Sequence, residues 1–253
     1  MRLLIKLGGT LLDEKNSRAR LAAEIAALKH TVVVVHGGGK QMTRYLEERG
    51  IESRFVNGLR VSTPEVIDAV LKVFAGTVNT QLVGAFRLGG ARAVGLTGLD
   101  AGLMDAEPLA EELGAVGKPV RSDAGLIDLL TREKYLPVVA CVAGDAQGAV
   151  YNVNADRMAV ACAASFKADT LIFLTDVDGV KDAAQEVLDS LTAAQAADLI
   201  RAGVATGGMQ AKLEAAVSAL ETGVGEIVIA PGARAGAVEE ILSGKRIGTR
   251  IVA

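Results

Sequence analysis

Short apolar runs alternate along this chain with longer segments whose apolar residues recur every three or four positions. The short runs predict buried strands, and the longer period predicts helices with one apolar face. The predicted strands cover residues 2–7, 32–36, 92–96, 137–142, 170–175, 226–230 and 248–252. The predicted helices cover residues 17–29, 40–49, 64–88, 123–131, 154–167, 192–202 and 209–222.

This alternation predicts an α/β fold with a doubly wound, mainly parallel central sheet sandwiched by helices. Ligands of such sheets bind at the carboxyl ends of the strands. The Asn57-Gly58 pair predicts a β-hairpin over residues 55–61, whereas residues 97–122 are predicted to be irregular. No long linker divides the chain, so we expect two continuous lobes, residues 1–167 and residues 168–253, with a weak boundary near Lys167.

Two of the predicted strands end in consecutive glycines. Gly8 and Gly9 follow the first strand, and residues 37–39 are all glycine after the second. Glycines there let the backbone come close to a ligand and leave N–H groups free to contact anionic oxygens. Lys6 adds a positive charge at the same edge, so the pattern favours an enzyme that handles a phosphoryl group. Tight α/β connections alone also explain such glycines.

Known nucleotide-binding loops do not account for these turns. A Walker A loop needs glycine at Val34 and a hydroxyl residue at Gln41, and the chain has neither. A dinucleotide-binding GxGxxG sequence follows neither strand.

The composition of the chain argues against several other classes of protein. The chain has 253 residues and a net charge of −3, with no basic patch, so we expect no nucleic-acid partner. Its two cysteines and two histidines do not form a zinc site, and we expect no metal bound by its own side chains. No uninterrupted apolar run reaches the ~20 residues of a membrane span, and the N-terminus does not resemble a signal peptide. We therefore expect a cytoplasmic protein without a membrane partner.

Three further segments carry residues suited to anion chemistry, and each also has a simpler explanation. Arg60, after the hairpin turn, is suited to bind a carboxylate with two hydrogen bonds, or is a solvated surface residue. Asn154 and Asp156 fit the start of a helix, but that does not explain Asn152. Lys212 lies one turn into a helix that opens with two glycines, where it either faces a phosphate or is solvated.

Residues 170–180 form an apolar strand that ends in Asp176-Val-Asp178-Gly179. The same pattern carries the nucleophile of haloacid-dehalogenase-type phosphatases. That chemistry also needs a late acidic pair for magnesium, and none follows Asp178. A loop at the end of a strand that contacts a nucleotide is therefore the favoured interpretation.

Eight short segments together resemble the amino acid kinase family along essentially the whole chain. In chain order they are Lys6-Leu-Gly-Gly, Val35-His-Gly-Gly-Gly, Asn57-Gly-Leu-Arg60-Val, Ala93-Val-Gly-Leu, Asn152-Val-Asn-Ala-Asp156, Thr175-Asp-Val-Asp-Gly179, Gly207-Gly-Met-x-x-Lys212 and Gly248-Thr-Arg-Ile. The second, third and fifth are typical of the members that act on N-acetyl-L-glutamate.

The resemblance implies phosphoryl transfer from ATP, with Mg²⁺ carried by the nucleotide, to the γ-carboxylate of N-acetyl-L-glutamate in arginine biosynthesis. It implies catalytic roles for Lys6, Lys212 and Asp156, and substrate binding by Gly38, Gly39, Arg60 and Asn152. It implies nucleotide binding by Gly8, Gly9, Thr175, Asp176, Val177, Asp178, Gly179, Val180, Val204, Ala205 and Thr206. The first lobe would bind the amino acid and form the dimer, and the second would bind the nucleotide.

The resemblance also bears on assembly and leaves other substrates open. Arginine-inhibited hexameric members have a helix before the first strand, whereas here the strand follows Met1 directly. We therefore expect a homodimer without arginine inhibition. A sister kinase acting on N-succinylglutamate or on carrier-linked aminoadipate is an alternative. A non-catalytic amino-acid-binding module is another, although it would be expected to lose Lys6, Asp156 or Lys212.

Overall fold

The structure, a computed structural model, describes residues 1–252. The strands are β1 (Arg2–Leu7), β2 (Thr31–His36), β3 (Phe55–Val56), β4 (Leu59–Arg60), β5 (Ala93–Leu96), β6 (Met104–Pro108), β7 (Val116–Ser122), β8 (Leu136–Ala140), β9 (Val142–Gly144), β10 (Val150–Val153), β11 (Thr170–Thr175), β12 (Ser190–Thr192), β13 (Glu226–Pro231) and β14 (Thr249–Val252).

The α-helices are α1 (Lys15–Ala26), α2 (Gly39–Glu47), α3 (Pro64–Val70), α4 (Asn79–Leu88), α5 (Gly125–Arg132), α6 (Ala155–Phe166), α7 (Ala193–Arg201), α8 (Gly207–Glu221) and α9 (Ala237–Leu242). A π-helical segment, Leu71–Val78, joins α3 to α4, and short 3₁₀ turns occupy Gly9–Leu12, Asp100–Gly102 and Glu111–Leu113. All seven predicted strands and all seven predicted helices are present, with ends that differ by a few residues. The short elements β12 and α9 were not predicted.

The main sheet has eight strands in the order β12-β14-β13-β11-β1-β2-β8-β5. All neighbouring strands are parallel except β13 and β14, which confirms the predicted α/β fold. The central strands are largely apolar and almost fully buried because helices cover both faces of the sheet, and Lys6 and His36 are buried polar exceptions near the ends of β1 and β2. Chain connections leave β1 towards β2 on one side and β11 towards β13 on the other, so the topological switch point lies between β1 and β11. Ligands of open α/β sheets bind at this point.

The sheet is continuous across the predicted lobe boundary. Helix α6 ends at Phe166, and Lys167 takes a left-handed φ of 51° before β11 begins. Strand β11 then pairs with β1 over residues 170–174. The two halves of the chain therefore share one sheet, although their functional division stays a prediction.

Residues 97–122 were predicted to be irregular, and this prediction was wrong. They contain β6 and β7, which close a small four-stranded barrel with β9 and β10 in the order β10-β7-β6-β9. A bulge between Asp105 and Ala106 breaks the alternation of side chains in β6, which explains why no strand pattern was visible. The barrel matters for the site because β10 carries Asn152.

The predicted hairpin is confirmed. Strands β3 and β4 pair Phe55 with Arg60 and Val56 with Leu59. Asn57 and Gly58 connect them with φ values of 48° and 77°, as a two-residue turn with both residues in the left-handed region requires. The turn thereby fixes the position of Arg60 relative to the sheet.

Residues 64–88 form one continuous helix of 25 residues through the π-helical segment. By length and apolar composition alone this helix could cross a membrane, a possibility that the sequence analysis did not raise. One face, which includes Val66, Phe74 and Phe86, packs in the core of the protein. Core helices of globular domains have the same composition, so the helix is weak support for a membrane span.

Candidate active site

The two glycine turns predicted to bind anions lie against each other at the switch point of the sheet. The Gly8 N–H donates a hydrogen bond to the Leu174 carbonyl at 3.0 Å, which holds the end of β1 to β11. A Cβ atom on Gly9 would lie 3.0 Å from the backbone nitrogen of Gly39. The missing side chains therefore let two backbones approach each other and form one cradle lined by N–H groups.

A buried carboxylate beside this cradle holds two lysines. Asp156 and Lys6 are almost fully buried, and Lys6 Nζ lies 2.7 Å from Asp156 Oδ1. Lys212 Nζ lies 3.5 Å from the other oxygen, Oδ2. The contact with Lys6 is ionic, because Oδ1 accepts no hydrogen bond of good geometry despite the short distance. The cluster carries a net positive charge next to the glycine turns.

The electrostatics of the cluster favour its charged form. Burial would raise the pKa of Asp156, but the positive charges of Lys6 and Lys212 outweigh burial and lower it. Asp156 is therefore ionised at neutral pH and fixes both ammonium groups. Removing Asp156 would leave two ammonium groups without their shared counter-charge.

Local structure explains how the cluster forms from distant parts of the chain. Lys6 lies on β1, while Asp156 lies in the first turn of α6, where Asn154 Oδ1 accepts hydrogen bonds from the backbone N–H groups of Asp156 and Arg157. Lys212 lies one turn into α8, and its Nζ also contacts the Gly208 carbonyl at 3.4 Å. Asn154 therefore caps helix α6, as the simpler interpretation of this segment predicted. Asp156 is more than an acid at a helix start, because it also forms an ion pair with Lys6 on β1.

A cleft of about 180 Å³ opens from the glycine turn of residues 37–39 towards the hairpin. Arg60 and Asn152 both line it, as the sequence analysis predicted for a substrate pocket. Asn152 Nδ2 donates a hydrogen bond to the buried Ser62 hydroxyl at 3.0 Å. Asn152 is therefore held by a neighbour and does not belong to the cap of α6.

The Arg60 side chain has two contacts that fix its position, and one of its guanidinium nitrogens has no hydrogen-bond partner. Its Nη2 donates to the Thr43 hydroxyl at 2.7 Å, and its guanidinium lies 4.6 Å from the centre of the Phe55 ring. Nη1 is buried and has no hydrogen-bond partner among residues 1–252. Burial lowers the pKa of Arg60, while Glu47 raises it, and the group stays charged at neutral pH. An unpaired guanidinium nitrogen in a cleft is suited to a carboxylate ligand.

The residues predicted to bind the nucleotide lie on the β11 side of the cradle. Asp176 Oδ2 accepts a hydrogen bond from the Thr10 hydroxyl at 3.1 Å. Burial would raise the pKa of Asp176, but hydrogen bonds and the charge of Lys212 lower it, so Asp176 is close to the lysine cluster. Thr175 ends β11, and Thr206 lies immediately before α8.

The other residues predicted to bind the nucleotide differ in how deeply they are buried. Gly179 has a φ of 157°, and a Cβ atom there would lie 2.7 Å from the Thr249 hydroxyl. Val180 and Ala205 are buried, whereas Val177 and Asp178 are exposed and Val204 is half-buried. The buried members shape the loop backbone, and the exposed ones border the open surface.

Sequence reasoning missed several residues of the cleft. Thr43 donates to the Gly39 carbonyl at 3.0 Å while it accepts from Arg60, so it connects the glycine turn to the hairpin. Phe74 covers Gly38, where a Cβ atom would lie 2.9 Å from its ring. Thr43 follows Gly39 by four positions, one helical turn, which was the only local signal of its proximity.

A parallel α/β sheet with two glycine turns and a lysine–aspartate–lysine cluster at its switch point defines a class of phosphotransferase without a Walker A loop. The sequence profile of the amino acid kinase family matches residues 1–231, more than half of the chain. The protein belongs to the amino acid kinase family.

Individual relatives agree with this assignment. The chain is 61% identical to the acetylglutamate kinase of Solibacter usitatus, over 100% of this chain and 99% of that one. It is 43% identical to the acetylglutamate kinase of Koribacter versatilis, with the same coverage of 100% and 99%. A crystal structure of N-acetylglutamate synthase from Neisseria gonorrhoeae, complexed with coenzyme A and N-acetyl-glutamate, has the same fold, with a TM-score of 0.89 at 24% identity. All of this chain aligns with 59% of that longer chain.

Proposed function

We propose that this protein transfers the γ-phosphoryl group of ATP to the γ-carboxylate of N-acetyl-L-glutamate in arginine biosynthesis. The product is N-acetyl-L-glutamyl 5-phosphate. The observation that carries the proposal is the intact Lys6–Asp156–Lys212 cluster beside the two glycine turns. The full-length similarity to proteins named acetylglutamate kinase supports the same reaction and substrate.

The acceptor would lie in the cleft between the glycine turn and the hairpin. Arg60 binds the α-carboxylate of N-acetyl-L-glutamate, and its free Nη1 supports this role. Asn152 contacts the acetylamino group. The γ-carboxylate then points towards Gly38 and Gly39, where backbone N–H groups hold its oxygens. The carboxylate is ionised at neutral pH and attacks without a general base.

The phosphoryl group would pass between the acceptor and the nucleotide beside the lysine cluster. Lys6 and Lys212 neutralise the negative charge that develops on the transferring group, and Gly9 donates its N–H group to the phosphates. The Gly8 N–H is already bonded to the Leu174 carbonyl, so Gly8 contributes a close approach of the backbone to the nucleotide. Asp156 holds the two ammonium groups in place before the substrates bind. Such a site accelerates the reaction by positioning and charge neutralisation, which is how phosphoryl transfer is generally catalysed.

The nucleotide would bind along the second half of the chain. In this proposal, residues 175–180 and 204–206 would border the adenosine, so residues 1–167 would form the amino-acid lobe and residues 168–253 the nucleotide lobe. Mg²⁺ would enter with ATP and would supply positive charge to the transferring phosphoryl group. Because ATP is the donor, we propose that the reaction takes place in the cytoplasm.

We further propose that the protein forms a homodimer. The helix over residues 64–88 is apolar, yet Leu71 and Leu88 are exposed on it. Two-fold pairing is the most common assembly of proteins of this kind and would cover this surface. Light scattering after gel filtration distinguishes a dimer from a monomer or a larger assembly.

A coupled assay of ADP release tests the proposed reaction. N-acetyl-L-glutamate, N-succinyl-L-glutamate, L-glutamate and L-aspartate are compared at equal concentration with MgATP. We expect the highest kcat/KM for N-acetyl-L-glutamate, and acceptor-dependent release that is slower by ~100-fold or more in the Lys6→Ala variant. A higher kcat/KM for another acceptor would show that N-acetyl-L-glutamate is not the preferred substrate. If none of the four acceptors stimulated ADP release, the proposed kinase activity would be refuted.

A further inference from the structure

A buried pair of polar residues, Asn79 and His36, lies directly behind the glycine turn of the cleft. His36 ends β2 and is fully buried, and Asn79 begins α4 and is almost fully buried. Asn79 Nδ2 lies 3.0 Å from His36 Nε2 and donates a second hydrogen bond to the Val138 carbonyl at 2.8 Å. His36 Nδ1 lies 2.8 Å from the Gly37 carbonyl oxygen. The catalytic roles proposed above do not use either side chain.

The partners of His36 fix the position of its proton. The Asn79 amide nitrogen is only a donor, so Nε2 of His36 accepts. The Gly37 carbonyl is only an acceptor, so Nδ1 carries the hydrogen and donates to it. Burial lowers the pKa of His36 from 6.5 to about 4, although the hydrogen bond to Gly37 raises it somewhat. At neutral pH the ring is therefore neutral, with its hydrogen on Nδ1.

The hydrogen bond to Gly37 determines the direction of the next backbone N–H group. The peptide bond between Gly37 and Gly38 is trans, as are all peptide bonds in residues 1–252. In a planar trans peptide the carbonyl and the following N–H point in opposite directions. Because the Gly37 carbonyl points to the His36 ring, the Gly38 N–H points away from it. That N–H has no backbone acceptor among residues 1–252, and Gly38 lines the cleft.

We propose that Asn79 is a positioning residue: through His36 it holds the Gly37–Gly38 peptide so that the Gly38 N–H faces the γ-carboxylate of the acceptor. The inference rests on the proposed function and adds to it the means by which this N–H is held. Glycines rotate freely, so three in succession need an outside restraint to present a fixed donor. A donor held in place before the substrate binds is more effective than one that must be ordered during the reaction.

Two further features around Asn79 agree with this role. A Cβ atom on Gly95 would lie 2.0 Å from Asn79 Oδ1, so glycine at position 95 leaves the space that the amide occupies. The motif Ala93-Val-Gly-Leu thereby gains a physical reason. Phe74 and Val78, on the π-helical segment just before Asn79, contact the other side of Gly38. The helix over residues 64–88 thus restrains Gly38 in two ways. Phe74 and Val78 contact it directly, and Asn79 acts on it through His36 and the Gly37 carbonyl.

The competing interpretation is that Asn79 only satisfies the buried Val138 carbonyl and joins α4 to the sheet. The two interpretations differ in what Asn79→Leu changes. A purely structural residue would alter stability and leave the chemistry of the folded enzyme intact. A positioning residue would also lower kcat, and would do so through His36.

The test compares Asn79→Leu with Leu82→Ala, a cavity-forming change at a buried position one turn further along α4. We expect Asn79→Leu to lower kcat by ~10–100-fold, because small displacements of positioned groups have effects of this size. The KM for ATP should hardly change, since the cleft binds the acceptor. Leu82→Ala should lower the melting temperature at least as much and change kcat less than twofold. Equal effects of the two variants on kcat would overturn the proposal.

Two additional measurements keep the proposal testable if Asn79→Leu does not fold. Gly95→Ala displaces the Asn79 side chain without changing Asn79, and it should lower kcat in the same way. Nitrogen-15 NMR of the wild-type protein should show His36 neutral with its hydrogen on Nδ1. A hydrogen on Nε2, or a folded Gly95→Ala variant with normal kcat, would contradict the proposal. The NMR result needs no turnover, so it separates failure of this inference from failure of the proposed reaction.

Discussion

Replacing Asp156 with asparagine changes the charge of the site while keeping its shape. In the wild type, Lys6 Nζ and Lys212 Nζ lie 2.7 Å and 3.5 Å from the two oxygens of one buried carboxylate. In Asp156→Asn, Oδ1 stays an acceptor, but the amide nitrogen repels one ammonium group and no negative charge remains between the two lysines. Both lysines are therefore free to move away from the transferring phosphoryl group.

The size of the effect follows from what the two lysines do. Misplacing catalytic charge by about an ångström lowers the rate by ~100-fold, which corresponds to ~2.7 kcal/mol of transition-state stabilisation. Because two lysines are affected, we expect kcat to fall by ~100-fold or more. Breaking a buried ion pair by removing one partner costs ~3–5 kcal/mol of stability. Typical domains have ~5–15 kcal/mol, so the variant should still be folded at 25 °C, with a lower melting temperature.

The assay is coupled ADP release at saturating ATP and N-acetyl-L-glutamate, with circular dichroism to confirm folding. Asp198→Asn is the matched control, because Asp198 forms an exposed ion pair with Arg201 on α7 and has no contact with the lysines of the cluster. The control should keep its kcat within twofold. A folded Asp156→Asn variant with near-normal kcat would refute the reasoning and leave Asp156 as an ordinary acid at a helix start.

Three further predictions address other parts of the account. Lys6→Ala and Lys212→Ala should each lower kcat by ~100-fold or more in steady-state kinetics, and a variant with only a raised KM would contradict the assigned role. Arg60→Ala should raise the KM for N-acetyl-L-glutamate strongly and the KM for ATP little, and Arg60→Lys should restore little because a point charge does not replace the guanidinium. Equal effects on both KM values would show that Arg60 does not bind the α-carboxylate of the acceptor. Because the pKa of His36 falls from 6.5 to about 4 on folding, the unfolded chain binds the additional proton between these values. Lowering the pH from 7 to 5 should therefore cost the wild type ~2 kcal/mol more stability than His36→Gln in urea titrations, and identical pH dependence would contradict the buried neutral state.

The layout of the sheet was predictable because its signals are local. Each central strand is a run of apolar residues, and the Asn57-Gly58 turn and the glycines after β1 and β2 have backbone requirements that few other residues meet. The barrel of β6, β7, β9 and β10 was not predictable, because its strands are short, bulged and paired across distant segments.

The chemistry of the site was only partly visible in the sequence. Lys6, Asp156 and Lys212 each had a simpler explanation when considered alone, and the resemblance to a family was needed to group them. Lys6 and Asp156 are 150 positions apart in the sequence and Asp156 and Lys212 are 56 apart, so no local pattern encodes their contacts. The contact of Thr43 with Arg60 and the pair of His36 and Asn79 were missed for the same reason. They depend on how α2, the hairpin and α4 pack against the sheet.

The most direct test of the central claim is to trap the acyl phosphate itself. The enzyme is mixed with MgATP, N-acetyl-L-glutamate and hydroxylamine, which converts an acyl phosphate into a stable hydroxamate, and the products are identified by mass spectrometry. The account predicts one γ-hydroxamate of N-acetylglutamate for each ADP released, and formation of both products slower by ~100-fold or more with Lys6→Ala. Release of ADP without hydroxamate, or a hydroxamate on the α-carboxyl group, would contradict transfer to the γ-carboxylate in this site.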